Sequence, residues 1–129
     1  MEEDKDIVPF ELAKVLAEKE FPQFNSHVSY YVGDGKPPFY SIGTVIYGRK
    51  YDWDTHLIAA PTIAQVLKWL REEKKLHVSI MTFMFKEGWC FEIIQIGQNP
   101  KLVATQRNSF NIYEQAAIAG IEYVVENLI

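Results

Sequence analysis

Residues 61–96 read PTIAQVLKWLREEKKLHVSIMTFMFKEGWCFEIIQI, and this stretch decides the fold class. Pro61 suits a first helical turn, because it has no N–H to leave unpaired. Ile63, Val66, Leu67 and Leu70 then fall at i, i+3, i+4 and i+7, the spacing of one helix face. Trp69 widens that face. Lys74 and Lys75 end it, which suits the negative end of a helix dipole. The period then changes. Val78–Phe85 and Trp89–Ile96 read as strands joined by Lys86-Glu87-Gly88, a short loop with glycine where a positive φ is needed. A helix followed by a hairpin points to antiparallel pairing with helices on a sheet.

Upstream, a helix is expected over Pro9–Glu20. Phe10, Leu12, Ala13, Leu16 and Ala17 supply its apolar stripe, and Phe21-Pro22 stops it. His27–Val32 alternates, Gly33–Pro38 turns, and Phe39–Tyr47 is a second strand. Gly48–Thr55 has no period and reads as a loop leading to a short edge strand at His56-Leu57-Ile58. Downstream, Gly97–Pro100 turns and Leu102–Thr105 adds a third, weaker strand. Asn111 and Glu114 have capping-box spacing and open the last helix. Its stripe is Tyr113, Ala117, Ile121, Val124 and Leu128, and Ala116, Ala119 and Gly120 form a small-residue patch. A helix apolar on more than one side is either well buried or part of a dimer contact. The expected fold is α+β: an antiparallel sheet of four to five strands with about three helices mainly on one face, in the order α-ββ-α-ββ(β)-α.

The chain has 129 residues, of which 48% are hydrophobic, 14% aromatic and 23% charged. That composition fits a single domain over residues 1–129, with residues 1–8 a frayed polar end. The net charge of −4 sits entirely in residues 1–20, where seven acids face three lysines; the other 109 residues balance. A nucleic-acid binder usually shows a basic footprint, so this partner class is disfavoured. Cys90 is the one cysteine, which excludes an intramolecular disulfide. The opening Met1-Glu2-Glu3-Asp4-Lys5-Asp6 is the opposite of a signal peptide, and no apolar run reaches the ~20 residues that cross a bilayer. A reducing, cytoplasmic setting without membrane contact is expected.

Three segments resemble a group of short uncharacterised proteins of gut-dwelling bacteria and their prophages and mobile elements. The first is Phe10–Phe21, similar to a family helix of the type Leu-Glu-Thr-Ala-Lys-Leu-Ala-Lys-Glu-Lys-Gly-Phe. The second is Ala60-Pro61-Thr62 followed by Leu67-Lys68-Trp69-Leu70-Arg71-Glu72 and Leu76-His77-Val78, which looks like the family's Ala-Pro-Thr helix with its Trp-Leu-Arg-Glu centre. The third is Tyr113-Glu114-Gln115-Ala116 with Ala119-Gly120-Ile121, similar to a Tyr-Glu-Glu-Ala-Leu-Glu-Ala-Gly-Leu ending. Glu20 stands where the family often has Gly, Ile112 where a capping Thr is usual, and Ile118 where Glu is usual. The resemblance implies the α+β fold and a mobile-element origin. It brings no catalytic residue and no cofactor.

The chemistry-bearing residues are sparse. Gly33 and Gly35 precede two prolines rather than a helix, so they make no phosphate loop. Asp52, Asp54 and His56 alternate and would share one face of a strand; with His77 they form a candidate ligand or hydrolytic site, against the plainer reading of solvated loop charges. No metal set has the convergence that tight binding needs. Cys90, between Trp89 and Phe91, reads as an inert core thiol. Lys68, Arg71, Lys74 and Lys75 form a candidate basic face, read first as a solvated helix surface. Aromatics on an exposed sheet face could stack nucleobases, but core packing explains them more simply. Tyr47, Tyr51, Trp53, Asp54 and His56 stand out, because aromatics in an irregular segment are less easily absorbed by a core; they form a candidate interaction surface. The leading expectation is a non-enzymatic interaction protein without cofactor. It would bind a protein partner and could pair as a homodimer through its C-terminal helix.

Overall fold

The computed structural model describes residues 6–23, 28–31, 39–42, 57–83 and 86–129. The fold is α+β. In chain order it comprises α1 (Phe10–Glu18), β1 (Val28–Tyr31), β2 (Phe39–Ile42), β3 (Leu57–Ala59), α2 (Ile63–Glu73), β4 (Leu76–Phe83), β5 (Lys86–Gln95), β6 (Lys101–Phe110) and α3 (Tyr113–Asn127). All described strand pairs are antiparallel. The described strands form two three-stranded sheets, ordered β2-β1-β3 and β4-β5-β6. Contacts group the chain into two units, residues 1–62 and 63–129.

In the first unit β1 is the central strand, with Tyr30 opposite both Tyr40 of β2 and Ile58 of β3. The segment leading into α1 is tied to the end of the unit: Ile7 bridges Thr62, and the Val8 N–H donates to the Pro61 carbonyl at 3.0 Å. The Ile7 and Val8 side chains are buried, so the frayed end expected over residues 1–8 does not extend to them. The Gln23 side chain spans its own corner. Its amide donates to the Phe21 carbonyl, and its oxygen accepts from the Ala59 N–H, each at 2.9 Å. Leu12, Ala13 and Leu16 are the buried residues of α1, which packs on β3.

The exit of α1 is a complete Schellman closure. The Glu20 N–H reaches the Ala17 carbonyl at 3.1 Å, and the Phe21 N–H reaches the Leu16 carbonyl at 2.9 Å. This geometry needs a left-handed residue between them, and Glu20 takes it at φ 69°. The buried pair Leu16 and Phe21 sits at the two positions whose apolar contact usually accompanies the motif.

In the second unit α2 packs on β4 and on α3, while α3 crosses all three strands. Val78 pairs with Ile93 and Ile80 with Phe91. Val78, Phe91 and Ile93 are buried beneath α3, whose buried residues are Ala116, Ala117, Gly120, Ile121, Val124 and Val125. Gly120 is what brings α3 so close. A Cβ there would lie 2.7 Å from Val78 Cγ1 and 3.3 Å from Phe91 Cγ. The small-residue patch read from sequence is therefore a close helix-to-sheet contact.

Four local expectations change. The glycine of Lys86-Glu87-Gly88 has the expected positive φ, 106°, but these residues belong to β5 rather than to a loop. Gly88 lies against the bulged end of β6. An added Cβ would overlap the Ser109 hydroxyl and sit 2.8 Å from the Phe110 carbonyl oxygen, so glycine here marks close backbone approach. Ser109 Oγ donates to the Glu87 carbonyl across the same gap. Next, β6 runs through Gln106-Arg107-Asn108-Ser109 to Phe110 instead of ending at Thr105. Its polar second half hides the strand period because it is an outer strand with irregular pairing to β5. Third, β4 begins at Leu76, two residues earlier than expected; its expected last two residues, 84–85, lie outside the described residues. Finally, Asn111 does not cap α3. The N-cap is Ile112, which has no side-chain acceptor. The reciprocal half of a capping box survives one residue late: Gln115 Oε1 accepts from the Asn111 N–H at 3.2 Å.

Candidate interaction surfaces

The strands of the second sheet present two different faces, because side chains alternate along each strand. Trp89, Phe91 and Ile93 point toward α3. Trp89 meets Tyr113 edge-on at 5.5 Å between ring centroids, and Phe91 lies 6.3 Å from Phe110 and 6.4 Å from Tyr123. Sequence leaves open whether Trp89 and Phe91 could offer a base-stacking platform. Both face the helix instead, which removes them from that role.

The other face carries His77, Ile94 and Leu102 in one row, Ser79, Glu92 and Thr105 in the next, and Met81 beside Cys90. Ile96 continues the Ile94 side past the strand end. Leu102 is 53% exposed and Ile96 42%, while Ile94 and Met81 are half-buried. An antiparallel sheet face turned away from its helices is expected to be polar. This one carries an apolar row at the β5–β6 end. Sequence reasoning passed over it because Ile93-Ile94-Gln95-Ile96 reads as one core run. Strict alternation was the available signal: Ile94 and Ile96 must lie opposite Ile93.

Cys90 is 1% exposed, and its thiol donates to the Met81 carbonyl at 3.5 Å. Burial pushes the thiol pKa up, Glu92 pushes it further, and Arg107 opposes both. The thiol is therefore held protonated, the opposite of what a nucleophile needs. His77 is half-buried on the same face, four positions along β4 from Met81, the partner of Cys90. That offset is about 13 Å, too far for a Cys–His pair. Among the described residues no group of three or more His, Cys, Asp or Glu side chains could hold a metal ion.

Lys68, Arg71, Lys74 and Lys75 are all exposed. Lys68 and Arg71 stand one turn apart on α2. Lys74 lies past the helix end, its ammonium 5.2 Å from the centre of the Trp69 ring, within range of a cation–π contact. Lys75 takes a left-handed φ of 56°, and its carbonyl accepts from the Ile96 N–H at 2.8 Å, starting the β4–β5 ladder. Part of the basic face is thus fixed by the turn from α2 into β4. Glu72 and Glu73 are exposed among these cations. Tyr47, Tyr51, Asp52, Trp53, Asp54 and His56 lie outside the described residues. Of the proposed ligand or hydrolytic set, His77 alone is described.

On α3 the exposed side carries Gln115, Glu122, Tyr123 and Glu126. Burial raises the Glu122 pKa, and Glu126, one turn on, raises it further. No basic residue occupies the last turn. Among the described residues, no helix is long and apolar enough to cross a membrane. Comparison with protein-family models, with curated proteins and with solved structures finds no match to this chain.

Proposed function

We propose that this chain is a small non-enzymatic interaction protein of the cytoplasm, an accessory protein of a phage or mobile element that acts by binding another protein. The observation that carries this reading is the apolar row of Ile94, Ile96 and Leu102 on the sheet face turned away from α2 and α3. Scattered exposed apolar residues are ordinary. Adjacent ones on one rigid sheet face form a surface that a partner can cover. The aromatic segment with Tyr47, Tyr51, Trp53, Asp54 and His56 is a second proposed contact, and self-pairing through α3 a third. The three-segment resemblance supports the mobile-element origin.

The test is comparative capture. Wild-type protein, a Leu102→Ser/Ile96→Ser variant and a Tyr51→Ala/Trp53→Ala variant serve as bait in extracts of a producing cell. Both variants should keep the wild-type melting temperature, and the first should lose a partner that wild type retains. Native mass spectrometry on untagged protein supplies the opposing result. A reproducible small added mass that is lost on denaturation would overturn the reading in favour of a bound ligand.

A further inference from the structure

The two helices of the second unit carry opposite charge on their exposed sides. The sequence of α3, Tyr113–Asn127, holds three acids, Glu114, Glu122 and Glu126, and no Lys, Arg or His. Glu122 and Glu126 are exposed and lie one turn apart. Residues 68–75 hold four cations against Glu72 and Glu73, with all six exposed. The helices pack against each other and both against β4, which sets a basic strip beside an acidic one.

We propose that a second copy of this chain docks on this helical layer, with the Glu122–Glu126 side of its α3 on the Lys68–Arg71 side of α2. By symmetry the α2 of the second copy meets the α3 of the first. A two-fold axis running along the helices, between them, makes both contacts at once, as a closed isologous dimer requires. The inference rests on reading the chain as an interaction protein, and it deepens that reading by naming the partner surface.

The observations favour a second copy over other occupants. Both halves of a matched charge pair stand on one surface, so the surface is its own complement. The strips are not charged throughout. Ile118 and Ala119 are half-buried in the middle of α3's outer side, and Ala64 is exposed on α2; these small or apolar groups let two helices approach and exclude water between the charges. The Glu122 carboxylate is partly desolvated beside a like charge, with no cation on its own helix. A docked Lys68 or Arg71 relieves that repulsion. A nucleic acid fits less well, because its phosphates would meet Glu72, Glu73 and the acids of α3 alongside the cations.

Sedimentation velocity on the full chain tests the proposal. Wild type should dimerise at low salt, and the dimer should dissociate as salt rises, since exposed charge pairs are screened. The K68E/R71E and E122K/E126K variants should each be monomeric with wild-type circular dichroism. An equimolar mixture of the two should dimerise again, because each restores the other's complement. If a reversed variant does not fold, K68Q/R71Q and E122Q/E126Q replace it and should each weaken the dimer without rescue on mixing. The proposal is overturned by a wild type that stays monomeric at low salt, by a dimer that survives both reversals, or by a mixture of the two charge-reversed variants that stays monomeric. Duplex DNA retained by wild type but not by K68E/R71E, without any dimer, overturns it in favour of nucleic-acid binding. Capture that depends on Leu102 and Ile96 but persists in K68E/R71E separates the outcomes: the interaction reading then stands while the helical dimer is tested alone.

Discussion

The first and last helices solve the problem of docking on a sheet in opposite ways. Helix α1 relies on its ends. It leaves through a complete Schellman closure at Glu20 and Phe21, and its incoming chain is fixed by the Val8–Pro61 hydrogen bond. Helix α3 relies on its middle. Its N-cap, Ile112, contributes no side-chain hydrogen bond, but Gly120 lets its axis approach Val78 and Phe91. The difference teaches where each helix can be damaged and where it can be improved. A helix held at its ends is sensitive to backbone conformation there. A helix held by close approach is sensitive to volume at one residue.

The sharpest way to break the comparison is Gly120→Ala. In an exposed helix this change would stabilise by about 1 kcal/mol, since alanine is the better helix former. Here the new methyl meets Val78 Cγ1 at 2.7 Å, closer than packed carbon atoms tolerate. Overpacking of this kind costs about 1–3 kcal/mol, so the expected net result is a loss of up to about 2 kcal/mol. Urea unfolding measures it. A variant about 1 kcal/mol more stable than wild type would mean that the contact relaxes freely and that α3 is not held by its glycine.

The two repairs at helix ends come next and act in the opposite direction. Glu20 pays the left-handed penalty of an L-residue at φ 69° and places an acid at the negative end of α1. Glu20→Gly should stabilise α1 by about 0.5–1 kcal/mol after the greater flexibility of an unfolded glycine is counted. Ile112→Thr should supply the missing acceptor at the start of α3 for about 0.5–1 kcal/mol. Amide exchange reads both locally, through slower exchange of the Phe21 N–H in the first variant and of the Gln115 N–H in the second. Faster exchange at either amide would contradict the cap assignment there.

These two positions also show how much of the fold is legible in sequence. The period of Ile63, Val66, Leu67 and Leu70 places α2, and alternation places β4 and β5, because regular burial leaves a regular pattern. Glu20 and Ile112 stand at the two helix ends where the structure lacks the favoured residue. What stays illegible is whatever depends on a partner strand. Gly88 reads as a turn glycine until Ser109 and Phe110 are seen behind it. The second half of β6 looks like a loop because an outer strand need not alternate. The division into two three-stranded sheets depends on pairings between residues far apart in sequence. Of the candidate site, the basic face on α2 is legible as a group of exposed cations. The Ile94–Ile96–Leu102 row is concealed within an apolar run, and its exposure follows from which face the helices cover.

The smallest expected effect concerns the acidic end of α3, and it sharpens the contrast between that helix's firm middle and its weak end. Burial and Glu126 hold the Glu122 pKa above its ordinary value in the folded protein. The folded state therefore binds a proton more readily than the unfolded state. The linked stability is fully present below the ordinary carboxylate pKa and is lost as pH rises through the raised folded value. Near neutral pH the Glu122–Glu126 pair is a like-charge i, i+4 repulsion of a few tenths of a kcal/mol, about 0.2–0.5, at the negative end of the helix dipole. Glu122→Gln should raise stability near pH 7 by about that amount and should flatten the rise in stability that wild type shows on mild acidification. Thermal melts of both proteins from neutral pH down through the carboxylate range measure the difference. An unchanged pH slope in the variant would assign the acid dependence to other carboxylates and leave the end of α3 without a part in it.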